Sequence, residues 1–171
     1  MLLGAAFRAV ESAKAVKVLR TNNCLIAITF SALSIEAMAN AIGDRVIQDW
    51  KDLESSSPTA KIRIIAEHLK IPFVRSDEPW STVIWLAQFR NRIAHPKPEQ
   101  ISVESKVTQR EFDQSLFEYP RSKLEREITL GNATRAVEAA YKLVDVLCET
   151  MSPEQRFGII AEMWSDHASA E

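Results

Sequence analysis

The sequence has few of the residues that would cross-link it or bind a metal. It contains only two cysteines, Cys24 and Cys148, and three histidines in 171 residues. None of them forms a cluster with the spacing of metal ligands. Both cysteines lie in apolar helical patterns, so we expect two buried free thiols rather than a disulfide. The sequence therefore predicts neither a metal site nor a cofactor.

Segments that would direct the chain to a membrane are also lacking. The apolar start of the sequence is soon interrupted by Arg8 and Glu11, which is not typical of a signal peptide. The longest apolar run contains Asn22, Asn23 and Glu36, so no membrane span is expected. We therefore expect a cytoplasmic protein that has no membrane partner.

The sequence has no excess of positive charge. Its 21 Lys and Arg residues face 23 Asp and Glu residues, which gives a formal net charge of -2. This balance argues against a protein that coats nucleic acid by general charge attraction, but it leaves room for a local basic site. We find no internal repeat, low-complexity segment or linker, so residues 1–171 are expected to form a single domain.

Helical periodicity accounts for most of the chain. Apolar residues recur at spacings of three and four, and the helices expected from this pattern span about 5–20, 23–50, 58–69, 80–94, 122–151 and 153–164. Thr21-Asn22-Asn23 is expected to cap and separate the first two helices; the alternative is one continuous helix. Ser122 is expected to begin the last long helix, which Gly131 interrupts. The predicted fold is all-α, an up-and-down bundle of four to five main helices.

Residues 96–121 form an irregular insertion in the predicted core, which spans about residues 20–151. Ile101-Ser102-Val103-Glu104 alternates briefly like a strand, and a short helix is expected near 108–117. A long loop beside a candidate site often shapes that site.

The clearest chemical signal lies where the helix over 80–94 ends. Arg90 and His95 are separated by four residues, and Asn91 directly follows the arginine. Because a proline disfavours helical geometry in the residue before it, Pro96 places His95 just outside the helix, which should end near Ala94. The side chains of Asn91 and His95 lie four residues apart and can meet through a hydrogen bond. A cation, an imidazole and an amide are thus expected at one helix end.

Glu36 and Asn40 lie four residues apart on an apolar face of the second helix. Arg90 also lies on an otherwise apolar stripe, and an unpaired buried charge is costly. We therefore predict that Glu36 pairs with Arg90. Loss of Arg90 would cost up to a few kcal/mol if Glu36 were then left buried and unpaired. The alternative is that Glu36 lies at the edge of the stripe and reaches water. Three small residues on the same face predict the close approach of another helix: Ala32, Ala39 and Gly43.

The Arg90-Asn91-x-x-x-His95 motif, closed by Pro96, resembles the signature of the HEPN superfamily (higher eukaryotes and prokaryotes nucleotide-binding). Two further segments resemble members of that superfamily: the pattern E-A-x-x-N within Ser34–Asn40, and the closing amphipathic helix over 133–151. Its members are small all-helical domains, many of them metal-independent ribonucleases.

The resemblance implies a symmetric dimer in which the motifs of two chains meet in one cleft and cleave RNA. His95 would be the general acid or base that acts on the ribose 2′-OH, since imidazole side chains exchange protons near neutral pH. Arg90 would stabilise charge on the phosphate. Asn91 would orient His95 or bind phosphate, and Glu36, supported by Asn40, would hold Arg90. Cleavage would leave a 2′,3′-cyclic phosphate, and DNA would survive.

Arg92 and Lys97 complete the expected site as ligands of RNA phosphates. The resemblance points to a toxin–antitoxin or phage-defence component, with an antitoxin or another protein as a further partner. Two alternatives stay open. One is a non-catalytic HEPN-like module that binds nucleotide, RNA or a partner protein, and the other is a purely structural helical subunit.

Overall fold

The chain folds into helices. The structure, a computed structural model, describes residues 1–100, 121–156 and 159. These residues form seven α-helices and one 3-10 helix, with no strand among them. The α-helices are α1 (Leu2–Ala15), α2 (Arg20–Val46), α3 (Pro58–His68), α4 (Trp80–Ala94), α5 (Lys123–Glu127), α6 (Leu130–Glu149) and α7 (Pro153–Arg156). The predicted all-α class is confirmed. The strand-like segment 101–104, the helix near 108–117 and most of the final helix lie outside the described residues.

The central element is α2, which packs against α1, α3, α4 and α6. Both α1 and α4 also pack against α6, so the core lies between these helices. The predicted stripe of α6 is buried as expected: Ala133, Ala136, Val137, Ala140, Leu143, Val144, Leu147 and, just beyond the helix, Met151. By length and composition alone α2 could also cross a membrane, since one window has a mean hydropathy of 1.7, but half of that window is buried inside the fold.

The break between α1 and α2 lies earlier than the sequence predicted. It falls at residues 16–19, and α2 already begins at Arg20, so a cap at Thr21-Asn22-Asn23 is wrong. Arg20 explains the position, because its Nε donates to the carbonyl of Ala13 at 3.0 Å and satisfies an end of α1. On α1 the side chain of Phe7 is 37% exposed. The buried residues of α1 are Leu3, Ala6, Ala9, Val10 and Ala13.

Gly43 receives an aromatic ring rather than a neighbouring helix. After α2 ends at Val46, Asp49 adopts a left-handed backbone conformation (φ 57°) and the 3-10 helix Trp50–Leu53 follows. The Trp50 ring then lies directly on Gly43, where a Cβ atom would come within 2.2 Å of Cε2. Trp50 is 2% exposed. The close approach predicted from the small residues is therefore made by this indole at Gly43.

A side-chain cap begins α3, whereas α4 begins after Pro79 without one. Ser57 Oγ accepts from the backbone N–H of Ala60 at 3.3 Å, with Pro58 in the first turn. The Glu78 carboxylate accepts from the hydroxyls of Ser81 and Thr82, both at 2.7 Å. Burial acts to raise the pKa of Glu78, but these hydrogen bonds together with Arg135 lower it below its usual value.

Two tryptophans of α4 pack against neighbouring aromatic rings. Trp80 is only 4% exposed, and its ring centroid lies 4.9 Å from that of Phe73. Trp85 is half-buried, with its centroid 5.4 Å from that of Phe89. Arg135 covers the Trp85 ring at 5.2 Å. Both indole rings thus lie against other side chains of the same chain.

The last long helix is divided at Ile128 and Thr129 rather than at Gly131. Ser122 and Glu125 form the predicted capping box and begin α5, which is only 5 residues long. Thr129 Oγ1 then accepts from the backbone N–H of Asn132 at 3.2 Å and caps α6, so Gly131 lies inside a helix. The cap supplied by Thr129 explains why the break precedes the glycine.

The two ends of the predicted insertion lie side by side. Residues 96–100 leave α4 without regular structure, as predicted. The backbone N–H of Lys123 then donates to Glu99 Oε2 at 3.1 Å. The chain therefore leaves the bundle and returns to it at nearly the same point, next to the end of α4.

Candidate functional site

His95 lies just beyond the end of α4, as Pro96 predicts. The helix ends at Ala94, and the His95 backbone (φ -132°, ψ 66°) has left helical geometry while its N–H still donates to the carbonyl of Asn91 at 2.9 Å. The His95 side chain is exposed, and within the described part of the chain it makes no side-chain hydrogen bond. Its imidazole is therefore open to a ligand.

The predicted ion pair between α2 and α4 is present. Arg90 Nη2 lies 3.5 Å from Glu36 Oε2, and the two side chains are 36% and 28% exposed. The face that carries them is thus only half-buried, so the pair forms and also reaches water. Exposed pairs of this kind contribute little to stability. The contact mainly fixes where the guanidinium lies.

Asn91 orients the arginine rather than the histidine. Its Oδ1 accepts from Arg90 Nη1 at 3.3 Å. The hydrogen bond expected between the side chains of Asn91 and His95 is not formed. Adjacent helix residues project in different directions, but the long Arg90 side chain can fold back towards Asn91. Arg90 is therefore held from two sides, by Glu36 and by Asn91.

Asn40 binds a lysine that sequence reasoning missed. Lys61, in the first turn of α3, donates from Nζ to Asn40 Oδ1 at 2.8 Å and is only 2% exposed. Its position carried a signal, because Lys61 precedes the buried Ile65 by one helical turn and so lies on the apolar face of α3. Lys61 was not identified because a lysine is ordinarily expected on the solvent-facing side of a helix.

Arg92, expected to bind phosphate, is engaged by α5. Its Nη1 and Nη2 bind the two carboxylate oxygens of Glu127 at 2.5 and 2.7 Å, and Trp85 Nε1 donates to the same carboxylate at 2.8 Å. The Arg92 hydrogen bonds lower the pKa of Glu127; burial acts to raise it, and the Trp85 bond lowers it further. Lys97 is exposed in the irregular segment after α4.

The structure thus divides the predicted residues into groups. Glu36, Arg90 and Asn91 lie in contact, and Asn40 follows Glu36 by one turn on α2. Arg92 faces α5 instead and is bound there by Glu127, which sequence reasoning did not identify. Glu127 could not have been identified from local spacing, because it is 35 residues away from its partner.

Other features of the described residues do not coincide with this site. No group of three or more His, Cys, Asp or Glu side chains in ranges 1–100 and 121–156 is arranged to hold a metal ion. A cleft of about 270 Å³ is lined by Glu78, Arg135, Glu138, Ala139 and Lys142, none of which belongs to the candidate site.

Comparison of the chain with protein-family models, with curated proteins and with solved structures finds no match.

Proposed function

We propose that this protein is a metal-independent endoribonuclease of the HEPN type, built on a HEPN-like helical bundle. The observation that supports it is the end of α4. There Arg90 is half-exposed and held by Glu36 and Asn91, while His95 is exposed just beyond the helix end. A guanidinium carries five N–H donors in a planar fork. Its contacts with Glu36 and Asn91 leave donors available to phosphate oxygens.

In the proposed reaction the neutral imidazole of His95 takes the proton from a ribose 2′-OH. The 2′-oxygen attacks the adjacent phosphorus and the bond to the 5′-oxygen breaks, with that oxygen leaving with a proton from an acid. The products are a 2′,3′-cyclic phosphate and a 5′-hydroxyl end. Arg90 stabilises the negative charge that develops on the phosphoryl oxygens. DNA is not cleaved, because it has no 2′-OH.

The reaction requires one base and one acid, whereas the described residues of each chain offer one histidine, His95, at the end of the helix that carries Arg90. Two copies of the chain would supply two imidazoles to a common cleft. The need for a second catalytic group supports the proposed homodimer. In this proposal the dimer functions in the cytoplasm as a toxin or phage-defence component. An antitoxin or another partner protein would restrain it. Lys97, exposed next to His95, would bind a flanking phosphate.

Cleavage of a mixed-sequence RNA in excess EDTA tests the proposal. We expect the wild type to produce fragments with cyclic phosphate ends and to leave DNA of the same sequence intact. His95→Ala should remove cleavage. His68→Ala is the matched control, because His68 is exposed on α3 outside the site, and it should cleave normally. Equal cleavage by the wild type and His95→Ala would contradict the assigned site.

A second candidate is a HEPN-like module that binds nucleotide or RNA without turnover. One observation favours it: Asn91 bonds to Arg90 and leaves the His95 side chain without an orienting partner among the described residues. Such a module would bind an RNA probe with the same affinity whether position 95 is histidine or alanine. It would produce no fragments, and its expression would not slow growth.

A further inference from the structure

Lys61 is a buried cation that has no role in the proposed reaction. It is 2% exposed and lies among the most fully buried side chains described. Taking an ammonium out of water is costly unless its charge is paired and its hydrogen bonds are satisfied. A buried lysine therefore needs either a counter-ion or a ligand that supplies one.

The described surroundings supply only part of what Lys61 needs. Its Nζ donates to Asn40 Oδ1 at 2.8 Å, and that acceptor is neutral. Within the described ranges, Lys61 is in no ion pair with a carboxylate. An ammonium has three N–H donors, and the bond to Asn40 uses one of them. Because Asn40 is neutral, this bond does not balance the positive charge.

The position of Asn40 connects Lys61 to the candidate site. Asn40 follows Glu36 by four residues on α2, and residues so spaced have Cβ atoms about 5–6 Å apart on one face of a helix. Arg90 from α4 contacts the first of these residues, and Lys61 from α3 contacts the second. Two cations from two helices thus converge on adjacent turns of α2, where Glu36 neutralises only one of them.

The Arg90, Glu36 and Asn40 side chains around this convergence reach solvent, although Lys61 itself is only 2% exposed. Arg90 and Glu36 are 36% and 28% exposed, Asn40 is half-buried, and the Lys61–Asn40 hydrogen bond is itself only partly buried. A ligand would therefore reach the ammonium only when the Lys61–Asn40 hydrogen bond opens. A chain of phosphate groups, each with two charged acceptor oxygens, can place one group on Arg90 and the next on Lys61.

We propose that Lys61, held by Asn40, is a second phosphate-binding cation of this site and contacts a backbone phosphate of RNA beside the one bound by Arg90. The inference rests on the proposed function and extends its site to α3. A purely structural Lys61 would differ in one measurable respect: removing its charge while keeping its apolar stem would leave affinity for RNA unchanged.

The test uses a fluorescein-labelled mixed-sequence RNA in which every 2′-OH is methylated, so that it binds without being cleaved. Anisotropy titrations at several salt concentrations compare the wild type with Lys61→Met. We expect about tenfold weaker binding. The slope of log affinity against log salt should fall by about 0.7, as for one lost phosphate contact on a single strand. Lys142→Met removes an exposed lysine from α6 and should bind like the wild type.

Asn40→Asp provides an independent variant in case Lys61→Met fails to fold. It places a carboxylate on the Lys61 ammonium, so the melting temperature should rise while RNA affinity falls. Asn22→Asp adds the same charge to an exposed position of α2 and should change affinity much less. If Lys61→Met bound the RNA as tightly as the wild type does, this inference would be overturned, and the proposed function would still stand. Failure of the wild type to bind the probe would overturn both.

Discussion

At the scale of single residues, Arg90 and Glu36 determine position more than stability. Both side chains are about one-third exposed and lie 3.5 Å apart, so water and salt screen their attraction. We expect Arg90→Ala to lower the free energy of unfolding by only about 0.5 kcal/mol, within the range of exposed pairs. The loss of a few kcal/mol that the sequence suggested assumed a buried pair.

Urea unfolding of the wild type, Arg90→Ala, Glu36→Gln and the double variant measures this contribution. The double-variant cycle isolates the coupling between the two side chains. If Arg90→Ala lowered the free energy of unfolding by more than about 2 kcal/mol, Glu36 would be left desolvated and unpaired in the variant. The pair would then be a buried one, as the sequence suggested.

Residue chemistry made some of these contacts predictable and concealed others. Glu36 and Arg90 were matched because each is a charge on an otherwise apolar stripe, which is a local signal. Lys61 gave the same signal, but its long apolar stem lets a lysine lie on a buried face without breaking the apolar pattern. Glu127 gave no signal, since a carboxylate near the end of a short helix is ordinary until its distant partner is known.

At the scale of elements, α5 is attached to α4 by the Glu127 carboxylate. Arg92 lowers the pKa of this carboxyl below its usual value of 4.5, with burial acting in the opposite direction and Trp85 adding to the effect. A group whose pKa is lower in the folded state stabilises the fold above the unfolded pKa. That stability is lost as the pH falls through the folded pKa.

We therefore expect stability to fall on acidification below about pH 4.5, and to fall less steeply in Glu127→Gln. Melting temperatures measured from neutral pH to about pH 3 in both proteins test this expectation. The variant should be less stable than the wild type at neutral pH and approach it at the acid end. Parallel curves over the whole range would show that the Glu127 carboxylate contributes nothing through its charge.

The contact between α2 and the 3-10 helix depends on the absence of a side chain at Gly43. A Cβ there would meet the Trp50 ring at 2.2–2.4 Å, and a buried indole cannot move aside as a flexible chain end can. We expect Gly43→Ala to lower the free energy of unfolding by about 1–3 kcal/mol, as overpacking does. Chemical denaturation with tryptophan fluorescence measures the change.

Gly131 provides the matched control, because a Cβ at that position meets nothing within 4 Å. Gly131→Ala in α6 should raise the free energy of unfolding by up to about 1 kcal/mol, since alanine is the better helix former. If the two substitutions had equal effects, the close contact with Trp50 would not be what constrains Gly43.

Element boundaries were predictable where a local device marks them. Pro96 ends α4, Ser57 and Pro58 begin α3, and the Ser122 capping box begins α5, all through neighbours in sequence. The break at residues 16–19 depends instead on the bond from Arg20 to the Ala13 carbonyl across seven residues. Periodicity within either helix does not contain that information.

At the scale of the whole molecule, the two thiols report on opening of the core. Cys24 and Cys148 are free and buried, at 1% and 5% exposure, as the sequence predicted. Burial raises the pKa of both thiols; Arg20 acts against it at Cys24, and Arg156 does so at Cys148. Since the thiolate is the reactive form, the folded protein should react slowly with a disulfide reagent.

Labelling with Ellman's reagent across a urea series tests this expectation. The rates for both thiols should rise together with the unfolded fraction, because Cys24 on α2 and Cys148 on α6 belong to one core. Fast labelling of one thiol in the absence of urea would show that its helix opens independently of the rest.

The bond between Glu99 and Lys123 has a consequence for how this molecule can be altered by selection. Because the chain departs and re-enters at one point, a change in the length of the segment between need not move the end of α4 away from the start of α5. His95 lies just before that departure. Lineages that inherit this bundle can therefore diversify the intervening sequence while the helices go on folding as before.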